Sequence, residues 1–199
     1  MKRYFLIKVY LLLFSAIILV EACNQKKDDK GSEAFFPVLS FIKSQVAHID
    51  TSLYAIKKIV YIDSIHSDTT YIHRDLFRQL AKDFLDIPDL VEKKYKKRYR
   101  EEKLFDETLN RVIITYKPEN PDKEELQSQE VLIAPNLATG DRVTSIIIDR
   151  VISNRDSFLQ KNMLWQVDQY FQVTTTMQKP GQSETITILK VAWNEKEEE

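Results

Sequence analysis

The sequence predicts an α+β domain: two to three N-terminal helices packed on a strongly curved antiparallel sheet of about five to six strands. Three observations lead there. After about Asn110 the apolar pattern changes from three- and four-residue spacing to single alternation. Short polar connections separate the alternating stretches, which favours antiparallel neighbours. The stretch Met163 to Met177 reads as one strand of about 15 residues, roughly 50 Å at 3.3 Å per residue, too long to stay straight in a small domain.

In "FFPVLSFIKSQVAHID", Phe35, Leu39, Ile42, Val46 and Ile49 share one face of a helix. Pro37 fits only its first turn, so the helix begins around Glu33 to Pro37, and His48 favours its carbonyl end. "YAIKKIVYID" (Tyr54 to Asp63) is β-branched and aromatic, a strand. "HRDLFRQLAKDFL" is a second helix with Leu76, Phe77, Leu80 and Phe84 on one side, ended by Pro88. "DLVEKKYKKRYREEKLF" reads as a third, more exposed helix.

Strands follow at Arg111 to Lys117, Gln129 to Ala134, Arg142 to Ser153, Met163 to Met177 and Thr185 to Trp193. Between them lie "PENPDKEE", "NLATGD", "SNRDS" and "KPGQS", in which Pro180-Gly181 suits a type II turn. Along the longest strand Trp165, Val167, Phe171, Val173 and Met177 alternate with Gln166, Asp168, Tyr170, Gln172 and Thr176, one apolar face and one polar. A long strand of this kind must bend around the helices, an arrangement similar to the cone-shaped cystatin and nuclear transport factor folds by analogy of architecture alone.

With 43% hydrophobic and 30% charged residues the chain is globular in composition, and a formal charge of -1 gives no electrostatic case for nucleic acid. Four regions are expected: residues 1–22 a signal segment, 23–32 a polar tether, 33–194 a single α+β domain, and 195–199 an acidic tail. Lys2, Arg3 and Lys8 flank the apolar run Val9 to Val20, which is shorter than the roughly 20 residues that span a bilayer.

The only cysteine, Cys23, closes this segment. "LVEAC" (Leu19 to Cys23) resembles the lipobox of bacterial lipoproteins, with Val20 and Ala22 in place and Glu21 departing from the pattern. The resemblance implies cleavage before Cys23, diacylglyceryl attachment at its thiol and a further palmitate-class acyl chain on the new amino terminus. At about 0.8 kcal/mol per buried CH₂, two or three such chains anchor a soluble domain stably. Lys27-Asp28-Asp29 resembles the Lys-acidic-acidic signal of surface lipoproteins of the Bacteroidota, and Asn24 replaces the aspartate that would imply inner-membrane retention. The resemblance therefore implies an outer-membrane location, on the periplasmic face or the cell surface.

No G-x-S-x-G, H-E-x-x-H, C-x-x-C or P-loop pattern occurs, so no catalytic constellation and no cofactor is expected. His66, Asp68 and His73 are the nearest thing to a metal-ligand cluster, but zinc needs three or four converging ligands, and a polar loop is the expectation. The run "EKKYKKRYREE" could meet phosphates, yet Glu92/Lys96, Lys97/Glu101 and Arg98/Glu102 at four-residue spacing also describe a paired helix surface. Two functions stay open. One is a non-catalytic envelope lipoprotein that binds another envelope protein or a cell-wall component. The other is a small-ligand or lipid binder with a pocket between sheet and helices, lined by Trp165, Phe171 and Trp193.

Overall fold

A computed structural model describes residues 34–62 and 66–194, so the expected signal segment, Cys23, the expected tether and the acidic tail lie outside the described residues. The first described element is α1 (Val38–Thr51), which starts directly after Pro37 and buries Val38, Ile42, Val46 and Ile49. The hairpin β1 (Ile56–Tyr61) and β2 (Ser67–Ile72) follows. A 3₁₀ turn (Arg74–Leu76) then leads into two short helices, α2 (Phe77–Leu80) and α3 (Lys82–Leu85), which break at Ala81. The remaining strands are β3 (Tyr99–Asp106), β4 (Arg111–Pro118), β5 (Leu126–Ala134), β6 (Arg142–Ser153), β7 (Phe158–Gln166), β8 (Tyr170–Gln178) and β9 (Thr185–Ala192).

All nine strands join one antiparallel sheet in the order β2-β1-β9-β8-β7-β6-β5-β4-β3. Strands β3 to β9 form an unbroken meander, and the β1–β2 hairpin adds to its last strand, so β2 and β3 are the two edges. This overturns the expected two to three N-terminal helices on a sheet of five to six strands, and with it the cone-like analogy. Among the described residues, only α1 is a helix of several turns.

Three local facts account for the difference. The charge run does not form a third helix: turns cover Leu90 to Arg98, and Tyr99 begins β3. The supposed 15-residue strand is the β7–β8 hairpin, reversing at Val167–Gln169, where Gln169 N–H donates to the Gln166 carbonyl at 3.2 Å. The stretch Ser67–Ile72, expected as a loop, is β2, a strand that is exposed at every position but the last.

Side chains sort by strand parity. Ile56, Tyr116, Val131, Ile146, Ile148, Met163, Trp165, Phe171, Val173 and Val191 belong to one core with the apolar stripe of α1 and with Phe77 and Phe84. On the opposite face of the sheet, Ser128 Oγ donates to Asp149 at 2.8 Å, Asn162 donates to the other carboxylate oxygen, and Ser145 Oγ donates to Gln166 at 2.8 Å. Lys161 and its cross-strand partner Arg150 are charges on the core-facing side, and the Lys161 ammonium reaches Asp83 of α3 at 2.5 Å, linking helix to sheet.

Turn chemistry matches the backbone where the chain reverses. Gly181 sits at φ +74° after Pro180, with Gln182 N–H donating to the Lys179 carbonyl at 3.1 Å, as a type II turn requires. Asp168 takes the left-handed conformation at φ +60°, which a short polar side chain tolerates and a β-branched one does not. Asp168→Val is expected to destabilise the protein by about 1–2 kcal/mol, with Asp168→Gly neutral within about 1 kcal/mol. Urea midpoints of the two variants check this, and equal midpoints would remove the strain argument.

Candidate binding cleft

The aromatic side chains proposed as pocket lining are placed together, in the core. Trp165 and Phe171 are fully buried and stacked, with centroids 5.4 Å apart and planes 17° from parallel. Trp193 lies 5.6 Å from Trp165. Phe84 of α3 stands edge-on to Trp165 at 5.2 Å, and Phe77 of α2 edge-on to Trp193 at 5.3 Å. Side chains from the helices therefore occupy the space that the three aromatics would otherwise border.

The ligand-like polar residues near β2 are spread by the strand itself. His66 and Asp68 lie at one end of β2 and His73 beyond the other, about 20 Å of extended chain at ~3.3 Å per residue. His73 Nδ1 is 3.0 Å from Asp75, both exposed. Among the described residues no group of three or more His, Cys, Asp or Glu is placed to hold a metal ion.

One polar concavity is built from residues that the sequence does not single out together. A cleft of about 320 Å³ lies between the turn segment after α3 and the start of β5 with the end of β6, lined by Pro88, Tyr95, Arg98, Glu124, Glu125 and Arg150 among others. A second hollow of about 580 Å³ shares Lys123, Glu124 and Glu125 with it and runs toward Ser153.

Its walls are held by charge-assisted bonds. Arg98 grips Glu124 with two donors, Nε and Nη2, each at 2.5 Å. Hydrogen bonding to Glu124 raises the Arg98 pKa against the opposing effect of desolvation. The Tyr99 hydroxyl lies 3.2 Å from Glu124 and 3.2 Å from the Leu126 carbonyl. Burial, then the neighbouring Glu124 charge, pushes this phenol above its ordinary range. Tyr95 is flanked by cations, Lys94 at 4.8 Å and Arg98 at 5.2 Å from its ring centroid.

Across the cleft Arg150 donates through Nη2 to Glu125 at 2.9 Å, and its side chain is 12% exposed. The Nε of Arg150 is buried and finds no acceptor among the described residues. An unmet guanidinium donor is costly, and it suits an acceptor oxygen from water or a ligand.

The charge run thus does a different job from the one its spacing suggested. In extended chain, neighbours on one face are two apart, so Arg100 pairs with Glu102 at 3.1 Å and Lys103 with Glu101 at 3.2 Å. Arg98, expected to face Glu102 across a helix turn, instead holds Glu124. Asp83 pairs with Lys161 of β7, and Asp86 with Lys82 on the exposed side of α3.

Compared with known protein families, with curated proteins and with solved structures, the chain finds no match in any of the three.

Proposed function

We propose that the chain is a lipid-anchored, non-catalytic binding module of the bacterial outer membrane. The observation that carries this reading is the stretch Leu19 to Cys23, set between a basic-flanked apolar run and the polar tether Asn24 to Ser32. Acylation at Cys23 would hold the domain at the membrane, and the tether would let its surface reach another envelope protein or a cell-wall component. The filled aromatic core supports surface rather than interior binding, since Trp165, Phe171 and Trp193 pack against Phe77 and Phe84.

Cys23→Ala is the expected loss of the anchor. Wild type grown with labelled fatty acid should carry label and fractionate with membranes, whereas the variant should carry none and keep its uncleaved leader. Equal labelling of the two would sink the lipoprotein reading. Changing Lys27-Asp28-Asp29 to alanine in the native host should protect the protein from protease added to intact cells, if the cluster directs display outward.

A second reading, small-ligand binding, is favoured by one observation: the unmet Arg150 Nε at the cleft. It would take a ligand with an acceptor oxygen between Arg150 and Tyr95. That site differs from the aromatic pocket expected between sheet and helices.

A further inference from the structure

We propose that β2 docks on β2 of a second copy of this chain, antiparallel about a two-fold axis through Thr69, so that two nine-stranded sheets continue into one another. β2 ends the sheet, and among the described residues no strand covers its outer side. It is exposed from Ser67 to Tyr71, with Tyr71 at 68%. An uncovered edge offers unpaired backbone donors and acceptors to another strand.

The hairpin bond of Ile62 N–H to the His66 carbonyl, at 3.0 Å, sets the phase of the ladder. Stepping by two along the β1–β2 register, Val60/Asp68, Lys58/Thr70 and Ile56/Ile72 are then the hydrogen-bonded pairs. Asp68, Thr70 and Ile72 turn their backbone groups toward β1. Ser67, Thr69 and Tyr71 turn theirs outward.

A second strand must match that phase, which leaves few symmetric registers. With the axis at Thr69, Thr69 faces Thr69, Ser67 faces Tyr71 and Asp68 faces Thr70. Every outward backbone group from Ser67 to Tyr71 is then paired. The one charged side chain of the strand, Asp68, meets a hydroxyl and no like charge. Moving the axis to Thr70 pairs fewer outward groups, and moving it to Asp68 sets two carboxylates face to face.

The opposite edge behaves differently. Glu119 N–H donates to the Arg98 carbonyl at 2.8 Å, so Tyr99, Glu101, Lys103 and Phe105 of β3 present their backbone outward. Every symmetric register that overlaps most of β3 places Glu101, Glu102 or Lys103 against itself, or Glu102 against Asp106. That edge is protected by charge, while β2 has no lysine, no proline and no bulge along it. The partner that fits β2 without repulsion is β2.

Thr69→Pro tests the contact cleanly, because the Thr69 N–H points away from β1 and its loss leaves the hairpin intact. Sedimentation of the full chain across a concentration series should show a dimer, weakened about thirtyfold by Thr69→Pro, the effect of two lost backbone hydrogen bonds. The melting temperature of the variant at a dilution where both proteins are monomeric should be unchanged.

Register is tested by single thiols in a Cys23→Ala full chain under mild oxidation. Thr69→Cys should give a disulfide dimer, since opposed residues sit about 5.5 Å apart at Cα. Ser67→Cys alone should not, being about 13 Å from its copy, but mixed with Tyr71→Cys it should. A monomer at every concentration, a dimer indifferent to Thr69→Pro, or Ser67→Cys dimerising as readily as Thr69→Cys would overturn the proposal.

Discussion

Replacing Trp165 by alanine is expected to destabilise the protein by about 3–5 kcal/mol, a large part of the roughly 5–15 kcal/mol that a domain of this kind possesses. Trp165 is fully buried at the meeting point of sheet and helices, in contact with Phe77, Phe84, Phe171 and Trp193. Truncation removes its own burial and leaves a cavity that four rings, held by α2, α3, β8 and the residue after β9, cannot close together. The measurement is the urea midpoint, with the slope m unchanged if the fold is kept. Trp165→Phe should cost much less, because it keeps most of the ring contact and deletes an indole N–H that is buried without an acceptor among the described residues. Similar losses for alanine and phenylalanine would mean that the aromatic cluster is not the organising centre of the core.

That the cluster points inward is legible in the sequence, although a hairpin and not one long strand carries it. The reversal at Val167–Gln169 takes three residues, so Gln166 pairs with Tyr170 and Trp165 with Phe171. Odd-numbered residues thus face the core on both β7 and β8, and the alternation runs through the turn without a break. A two-fold period cannot reveal a hairpin whose loop keeps parity, and this loop contains neither glycine nor proline. The same blindness applies to β2. An edge strand exposed on both faces needs no apolar alternation, and "SDTTYI" has none.

The cleft was hidden for another reason. Arg98, Glu124 and Arg150 come from three separate stretches, and only the sheet register brings them together. One signal was available. Along β6, Ile146 and Ile148 are buried, and the same parity gives Arg150, a charge on an inward row. A charged residue continuing an apolar face at a strand end marks a place where the core opens to polar partners. The charge run "KKYKKRYREE" carries good helix formers, yet the exposure pattern of β3 is set by its pairing with β4.

Stability should fall steeply above pH 10, through Tyr99 and Tyr116. Both phenols are buried. For Tyr116, burial is the main cause that raises the pKa, and the Glu101 carboxylate beside it adds to the effect against the Phe36 N–H, which donates to the hydroxyl at 2.8 Å. For Tyr99, burial leads again, helped by Glu124 and opposed by the Arg98 charge. A folded-state pKa above the unfolded value of about 10 means that the neutral phenol is favoured by folding. Below pH 10 both states are protonated and this stability is fully present. As pH rises past it, the unfolded chain releases protons that the fold retains, so stability falls by about 1.4 kcal/mol per pH unit for each group. Two groups give roughly 2–3 kcal/mol per unit. Thermal unfolding from pH 8 to 12 should show a plateau and then the decline. Tyr99→Phe and Tyr116→Phe should each remove about half of that slope, at a cost near neutrality of about 1 kcal/mol for the lost hydroxyl bonds. A double variant that still melts with the wild-type alkaline slope would assign the decline to other groups. The comparison also separates two neighbours at the open end of the β3–β4 hairpin: Tyr99 reports on the wall of the cleft, and Tyr116 on the clamp where Phe35 and Phe36 pack.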